Sequence, residues 1–210
     1  ARTAFIDLLQ NREYSLHDRL VNVLSATAEI QYALDEEDTE EIKAIAQELS
    51  HPEIIAERVE SLKKALPEKP LENAENMLLY LERLDFIGDI LPQQIKDASR
   101  FVKKLSAPLK AQTSGEYEKL AVYFVYRYFL KAVRDFDLLS KIKAMIVFVF
   151  AAEVINLSRE QDAHARFETV KELCKEIEYS GDNMDRIYDD SYLSDIFSDT
   201  SMLALLEWTL

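Results

Sequence analysis

Three cations, Arg127, Lys131 and Arg134, stand at i, i+4 and i+7, the spacing at which a continuous α-helix sets side chains along one side. A guanidinium presents a planar fork that suits a carboxylate, so such a ridge can accept an acid from a partner or a cofactor. The same cations can instead pair internally with Asp135, Asp137 or acids on neighbouring helices. Between Glu116 and Lys143 six bases face four acids, in a chain whose formal net charge is −14. Tyr117, Tyr123, Phe124, Tyr126, Tyr128 and Phe129 crowd the same stretch. Aromatics at helical spacing form core more often than a ligand box, and any hydroxyl buried among them needs a hydrogen-bond partner.

Little else in the chain is chemically equipped. His17, His51 and His164 are far apart, with no pair at the i, i+4 spacing that puts two imidazoles on one helical face, so no metal-ligand set is expected. The single cysteine, Cys174, sits beside Leu173 in an amphipathic pattern and reads as a buried, inert thiol. Three glycines cannot supply a phosphate-cradling loop, a Gly-x-Ser-x-Gly elbow or a dinucleotide fingerprint. The acidic balance repels phosphate backbones, which makes nucleic acid an unexpected partner. One cysteine without a disulfide mate fits a reducing, cytoplasmic setting. The start Ala1-Arg2-Thr3-Ala4 has neither an initiator Met nor a basic-then-apolar leader, so the chain is expected to begin partway through a longer product or to be processed.

The elements that must position these residues are helices. Three glycines and five prolines in 210 residues are far below the average of roughly 7% and 5%, so turns and hairpins are poorly provided for. Ser15 with Asp18 opens a helix to about Leu34, and the acid run from Asp35 to Glu41 reads as a solvated loop or first turn. Ser50, Pro52 and Glu53 start a second helix with Ile55, Val59, Leu62 and Leu66 as its apolar stripe, and Pro67 and Pro70 mark a linker. Further helices are predicted over 71–87, ending near Gly88, and over 92–105. Thr113 with Glu116 opens a helix to about Arg134, and Asp137 caps the next, 138–157, the two forming a hairpin. Met145 to Ala152 is apolar all round yet too short to span a bilayer, so 138–157 should be the central buried helix. A strand is the rival reading of Val147-Phe148-Val149-Phe150, but no comparable second strand exists to pair with it. A helix over 162–179 follows, then an acidic, aromatic tail in which Lys175 and Arg186 face nine acids, then a last helix over 201–208. The expected fold is all-α, an irregular bundle of about eight helices. Residues 1–110 form an amino-terminal helical region and 111–210 a carboxy-terminal core, in one continuous domain.

The segment Tyr126-Arg127-Tyr128-Phe129-Leu130-Lys131-Ala132-Val133, with Asp135, then Asp137-Leu138-Leu139-Ser140-Lys141, and later Glu176-Ile177-Glu178-Tyr179-Ser180 with Asn183, resembles the carboxy-terminal part of the flagellin lysine-N-methylase family. Leu8 to Leu20 resembles the point where that family passes from its cysteine-rich section into its helical half. The resemblance implies an enzyme that methylates lysine ε-amino groups of flagellin with S-adenosylmethionine, using an amino-terminal cysteine cluster that holds iron and sulfur. One cysteine cannot supply the thiolates of such a cluster, so no cofactor is expected in this chain and the isolated chain is expected to be inactive. The expected role is to hold a lysine-bearing protein substrate or to complete the wall of the active site. Arg127, Lys131, Arg134, Asp135, Asp137 and Glu178 are the candidate binding residues for a partner or cofactor. The alternative is a non-enzymatic helical module for protein–protein interaction.

Overall fold

A computed structural model describes residues 1–64, 70–109, 115–159 and 162–208. Every regular element among them is helical, with eleven helices of eight residues or more and no strand. In chain order they are α1 (Arg2–Gln10), α2 (Leu16–Asp35), α3 (Thr39–Glu48), α4 (Pro52–Lys63), α5 (Pro70–Leu81), α6 (Ile90–Val102) and α7 (Gly115–Tyr128). A 3₁₀ turn (Phe129–Lys131) and the single turn α8 (Ala132–Asp135) lead into α9 (Leu139–Arg159). Next come α10 (Ala163–Leu173), a π-helical turn (Cys174–Glu178), α11 (Gly181–Leu193), a 3₁₀ turn (Asp195–Phe197) and α12 (Asp199–Leu206).

The all-α expectation holds, while about eight helices is too few. The three extra are α1, α3 and α11, each with a thin apolar stripe. Phe5, Leu8 and Leu9 are the buried residues of α1, Ile45 and Ala46 those of α3, and Met184 and Ile187 the buried apolar residues of α11. Helices of nine to thirteen residues are marginal alone and form because neighbours cover that stripe. In α1 the cover is α7 and the turn after it, where the Phe5 and Phe129 rings meet edge-on at 5.1 Å. The acidic tail is therefore largely the helix α11, packed on α9.

Helix α9 is the axis of the bundle. Every residue from Ser140 to Asn156 is buried, with α2, α6, α7, α10, α11 and α12 packed around it. Val147-Phe148-Val149-Phe150 is helical because it is enclosed on all sides, where β-propensity has no edge to act through. Asp137 caps α9 as expected, its Oδ1 accepting from Ser140 N at 3.0 Å. Among the described residues no helix is long and apolar enough to cross a membrane. The α7–α9 hairpin is antiparallel: Tyr117 meets Asn156, whose Nδ2 donates to the phenol oxygen at 3.1 Å, and Phe124 meets Phe148 at 4.6 Å between ring centroids. Burial pushes the Tyr117 phenol up to about 12.

Ser15 also caps as expected, accepting from Asp18 N, and Asp162 accepts from Ala165 N; Ser50 does not cap α4, its hydroxyl instead donating back to Gln47 O at 2.7 Å, with His51 as the residue before Pro52. The expected start at Thr113, the stripe residue Leu66 and most of the Pro67–Pro70 linker lie outside the described residues. Helix α5 ends at Leu81, well short of 87. Backbone groups beyond it are taken by side chains from far along the chain: Asp85 N donates to Asn183 Oδ1 at 3.0 Å, and Ile87 N and Gly88 N donate to Glu176 Oε2 at 2.8 and 3.2 Å.

Three carboxyls that hold the fold sit below the usual carboxylate range: Glu118, chiefly through its hydrogen bond from Arg12; Glu176, chiefly through Lys175; and Asp137, where bonds from Ser140 and Tyr192 outweigh burial. A carboxyl depressed in the folded state contributes stability that is complete above its unfolded value and disappears as pH falls through the folded one. Melting temperature should therefore be flat at neutral pH and fall progressively below about pH 4.5, near the unperturbed carboxylate range. Melts between pH 7 and 3 check this, and a profile flat to pH 3 would remove these groups from the account.

Candidate functional site

Two elements converge on one buried carboxylate. Helix α7 supplies Tyr123, Arg127 and Tyr128, and the π-helical turn after α10 supplies Cys174 and Glu178. The wide turn, closed by Tyr179 N donating to Cys174 O at 2.9 Å, carries one more residue than an α-turn. It buries three residues in succession: Glu176 faces the loop before α6, Ile177 the core and Glu178 helix α7.

The Glu178 side chain has no exposed surface. Its Oε1 accepts from the Tyr123 hydroxyl at 2.7 Å and the Tyr128 hydroxyl at 2.6 Å, with Arg127 Nε 3.4 Å away. Arg127 Nη1 donates to the Tyr123 oxygen at 2.6 Å, and the guanidinium lies over three rings, 5.7 Å from Tyr123, 5.5 Å from Tyr128 and 5.4 Å from Tyr179. Lys131 Nζ sits 4.4 Å from the Tyr128 ring centroid. Burial, then the hydrogen bond to Glu178, pushes both phenols well up, so they stay protonated donors. Glu178 Oε2 is buried without a hydrogen-bond partner among the described residues, although the Cys174 thiol lies against the same carboxylate. Burial and that carboxylate push the thiol well up, as suits an unreactive cysteine, although Cys174 is half-buried where a buried thiol was expected.

The six expected binding residues thus separate into three settings. Arg127 and Glu178 meet across 51 positions of sequence. Asp135 and Asp137 do not serve the ridge; both pair with Lys141, at 2.9 and 3.3 Å, and Asp137 also accepts from Tyr192 at 2.7 Å. Lys131 and Arg134 are exposed, and Arg134 makes no ion pair among the described residues. The 3₁₀ turn after Tyr128 interrupts the continuous helix that the straight ridge assumed, although Arg127 and Lys131 both still lie over the Tyr128 ring. Among the described residues, Arg127 is the one of the three cations that pairs with an internal acid. Tyr123, Tyr128 and Tyr179 were not among the expected site residues, although buried phenols in want of partners were a usable signal.

Outward from this cluster, Tyr126, Leu130 and Val133 repeat at i, i+4 and i+7 and are 66%, 51% and 71% exposed, with Phe136 exposed beyond them. Their inward neighbours Phe124, Val125, Phe129 and Ala132 are buried. Arg2 lies over the Tyr126 ring at 5.4 Å, and a shallow groove of about 320 Å³ lined by Ile6, Gln10, Val122 and Tyr126 runs between α1 and α7. A wider concavity of about 690 Å³ between α2 and α3, rimmed by Glu29, Glu36, Asp38 and Glu41, lies away from this cluster.

A family model described as the FliB lysine N-methylase C-terminal domain matches residues 2–205. No curated protein and no solved structure matches the chain.

Proposed function

Because the chain belongs to the FliB lysine N-methylase C-terminal domain family, we propose that it is the helical, substrate-holding part of a protein lysine N-methyltransferase acting on a flagellin-like protein. The observation that carries the holding role is the exposed stripe Tyr126–Leu130–Val133 with Phe136 beyond it. Single exposed apolar residues are ordinary, but four within eleven positions, on either side of the 3₁₀ turn, make a contact surface in want of a partner. Lys131 and Arg134 flank it and would complement carboxylates on that partner, in a chain otherwise strongly acidic.

Methyl transfer is assigned to the rest of such an enzyme. An iron–sulfur cluster needs several thiolates, whereas the sequence has Cys174 alone, and among the described residues no three His, Cys, Asp or Glu side chains converge to hold a metal ion. The residues present do not fit such a cluster. Incubated with flagellin and methyl donor, the isolated chain should transfer no methyl groups; turnover by metal-free chain would overturn this division.

Leu130→Asp and Val133→Asp should each weaken binding of a flagellin probe at least tenfold, about 1.4 kcal/mol, with unchanged circular dichroism. Undiminished affinity in both would sink the docking face. Phe136 adds a control in which stability and binding separate. Its φ of 54° places a bulky residue in the left-handed region, held by Gln31, whose Nε2 donates to Phe136 O and whose Oε1 accepts from Leu138 N, both at 2.8 Å. Relieving the left-handed cost of about 1–2 kcal/mol by Phe136→Gly, against glycine's entropic penalty of about 0.5–1 kcal/mol, should leave melting unchanged or slightly raised while flagellin binding weakens.

A further inference from the structure

We propose that Glu178 and the rings of Tyr123, Tyr128 and Tyr179 form a cage for an alkylammonium group, the side chain of a substrate lysine or its methylated forms, and that Arg127 is an internal occupant which that group displaces. The inference rests on the substrate-holding reading and names the group that the domain would grasp. Aromatic faces around a cation, closed by a carboxylate, are the arrangement that recognises lysine and its methylated forms.

Arg127 fills this place poorly. Its Nε stands 3.4 Å from Glu178 Oε1, it makes no two-pronged contact with the carboxylate, and its side chain is 42% exposed. Glu118 shows what a fitted pairing looks like in the same protein: Arg12 reaches both its oxygens, at 3.0 and 3.1 Å, and Arg19 adds a third bond at 2.9 Å. At Glu178 a whole oxygen, Oε2, is buried with no nitrogen or oxygen donor among the described residues, the Cys174 thiol being the group against that carboxylate. A compact ammonium with three rotatable donors can approach where the planar guanidinium does not engage. Each methyl group removes a donor but keeps the charge and adds apolar surface for the rings, so methylated lysine is also accommodated. The site opens outward, Tyr179 being 66% exposed, and Arg127 and Lys131 repel an incoming cation, so entry requires Arg127 to swing out.

The test titrates Nα-acetyl-lysine methylamide, its trimethyl-lysine counterpart and the neutral norleucine analogue into the full chain by calorimetry. Arg127→Ala should bind both cations at least tenfold more tightly than wild type does and should ignore norleucine; adding Glu178→Gln should abolish the gain. A natively folded Arg127→Ala variant that binds the cations no better than norleucine overturns the cage. Should that variant fail to fold, the wild-type Arg127 Nε–H resonance is followed instead, which should move toward a free guanidinium on adding trimethyl-lysine analogue and, if unmoved at saturation, overturns the cage. The probes are too small to need the docking stripe. Failure here with weakened flagellin binding in Leu130→Asp and Val133→Asp removes the cage alone, whereas cation binding with undiminished flagellin binding in both variants removes the docking face alone.

Discussion

Glu118→Ala is expected to lower folding stability by about 3 kcal/mol, the lower end of the cost of leaving one partner of a buried ion pair unpaired. The partner that matters is Arg19, 2% exposed, whose Nη1 donates to Glu118 Oε2 at 2.9 Å. It keeps Leu9 O and Ser15 O as acceptors, which limits the loss. For a chain of this length the melting temperature should fall by roughly 6–12 °C, at 2–4 °C per kcal/mol. Arg12→Ala removes only the exposed, solvent-screened arm of the same network and should lower the melting temperature far less. If the two variants melt together within a degree or two, burial of Arg19 is not what makes Glu118 important. Glu118 joins the α1–α2 connection to α7, so its loss also loosens the support beneath Tyr123 and Arg127.

The parts of this fold legible in the sequence are those governed by neighbours within a turn. Ser15, Asp137 and Asp162 cap helices because each presents an oxygen to an amide three residues on. The central helix is legible because its apolar surface runs all round, which only a surrounded helix can bury. Elements defined by distant partners are not. Helix α11 shows mostly Asp, Tyr and Ser, and its inward Met184 and Ile187 are too few to register as a period until α9 is beside them. The candidate site was legible to the same extent. Arg127 and Glu178 stood out by type and by family resemblance, but no local spacing signals that a π-helical turn would press Glu178 against α7. The ridge assumed constant helical pitch through Phe129–Lys131, where the backbone tightens to 3₁₀.

Asn183→Ala should be the second severe variant, costing about 2–3 kcal/mol, because its amide is used three ways inside the fold and each buried backbone group left unpaired costs about 1–3 kcal/mol. Oδ1 accepts from Asp85 N at 3.0 Å, while Nδ2 donates to Asp85 O at 2.7 Å and to Glu176 O at 3.0 Å. Asp85 is exposed and water can replace its two bonds, whereas Glu176 is 2% exposed and its carbonyl has no such recourse. That estimate therefore stays below the sum of three full penalties. The clamp has a position as well as a strength: it ties the loop after α5 to the π-helical turn that carries Glu176 and Glu178. Glu176 can reach Gly88 because glycine has no Cβ; one built there would lie 3.1 Å from Glu176 Oε1. Hydrogen exchange in Asn183→Ala should accelerate at the amides of Asp85, Ile87 and Gly88 first, and Tyr123 and Tyr128 should report a changed environment as Glu178 shifts. A loss of stability spread evenly over the bundle, with those three amides still protected, would mean that the loop is held by packing instead. The site at Glu178 would then be independent of the clamp behind it.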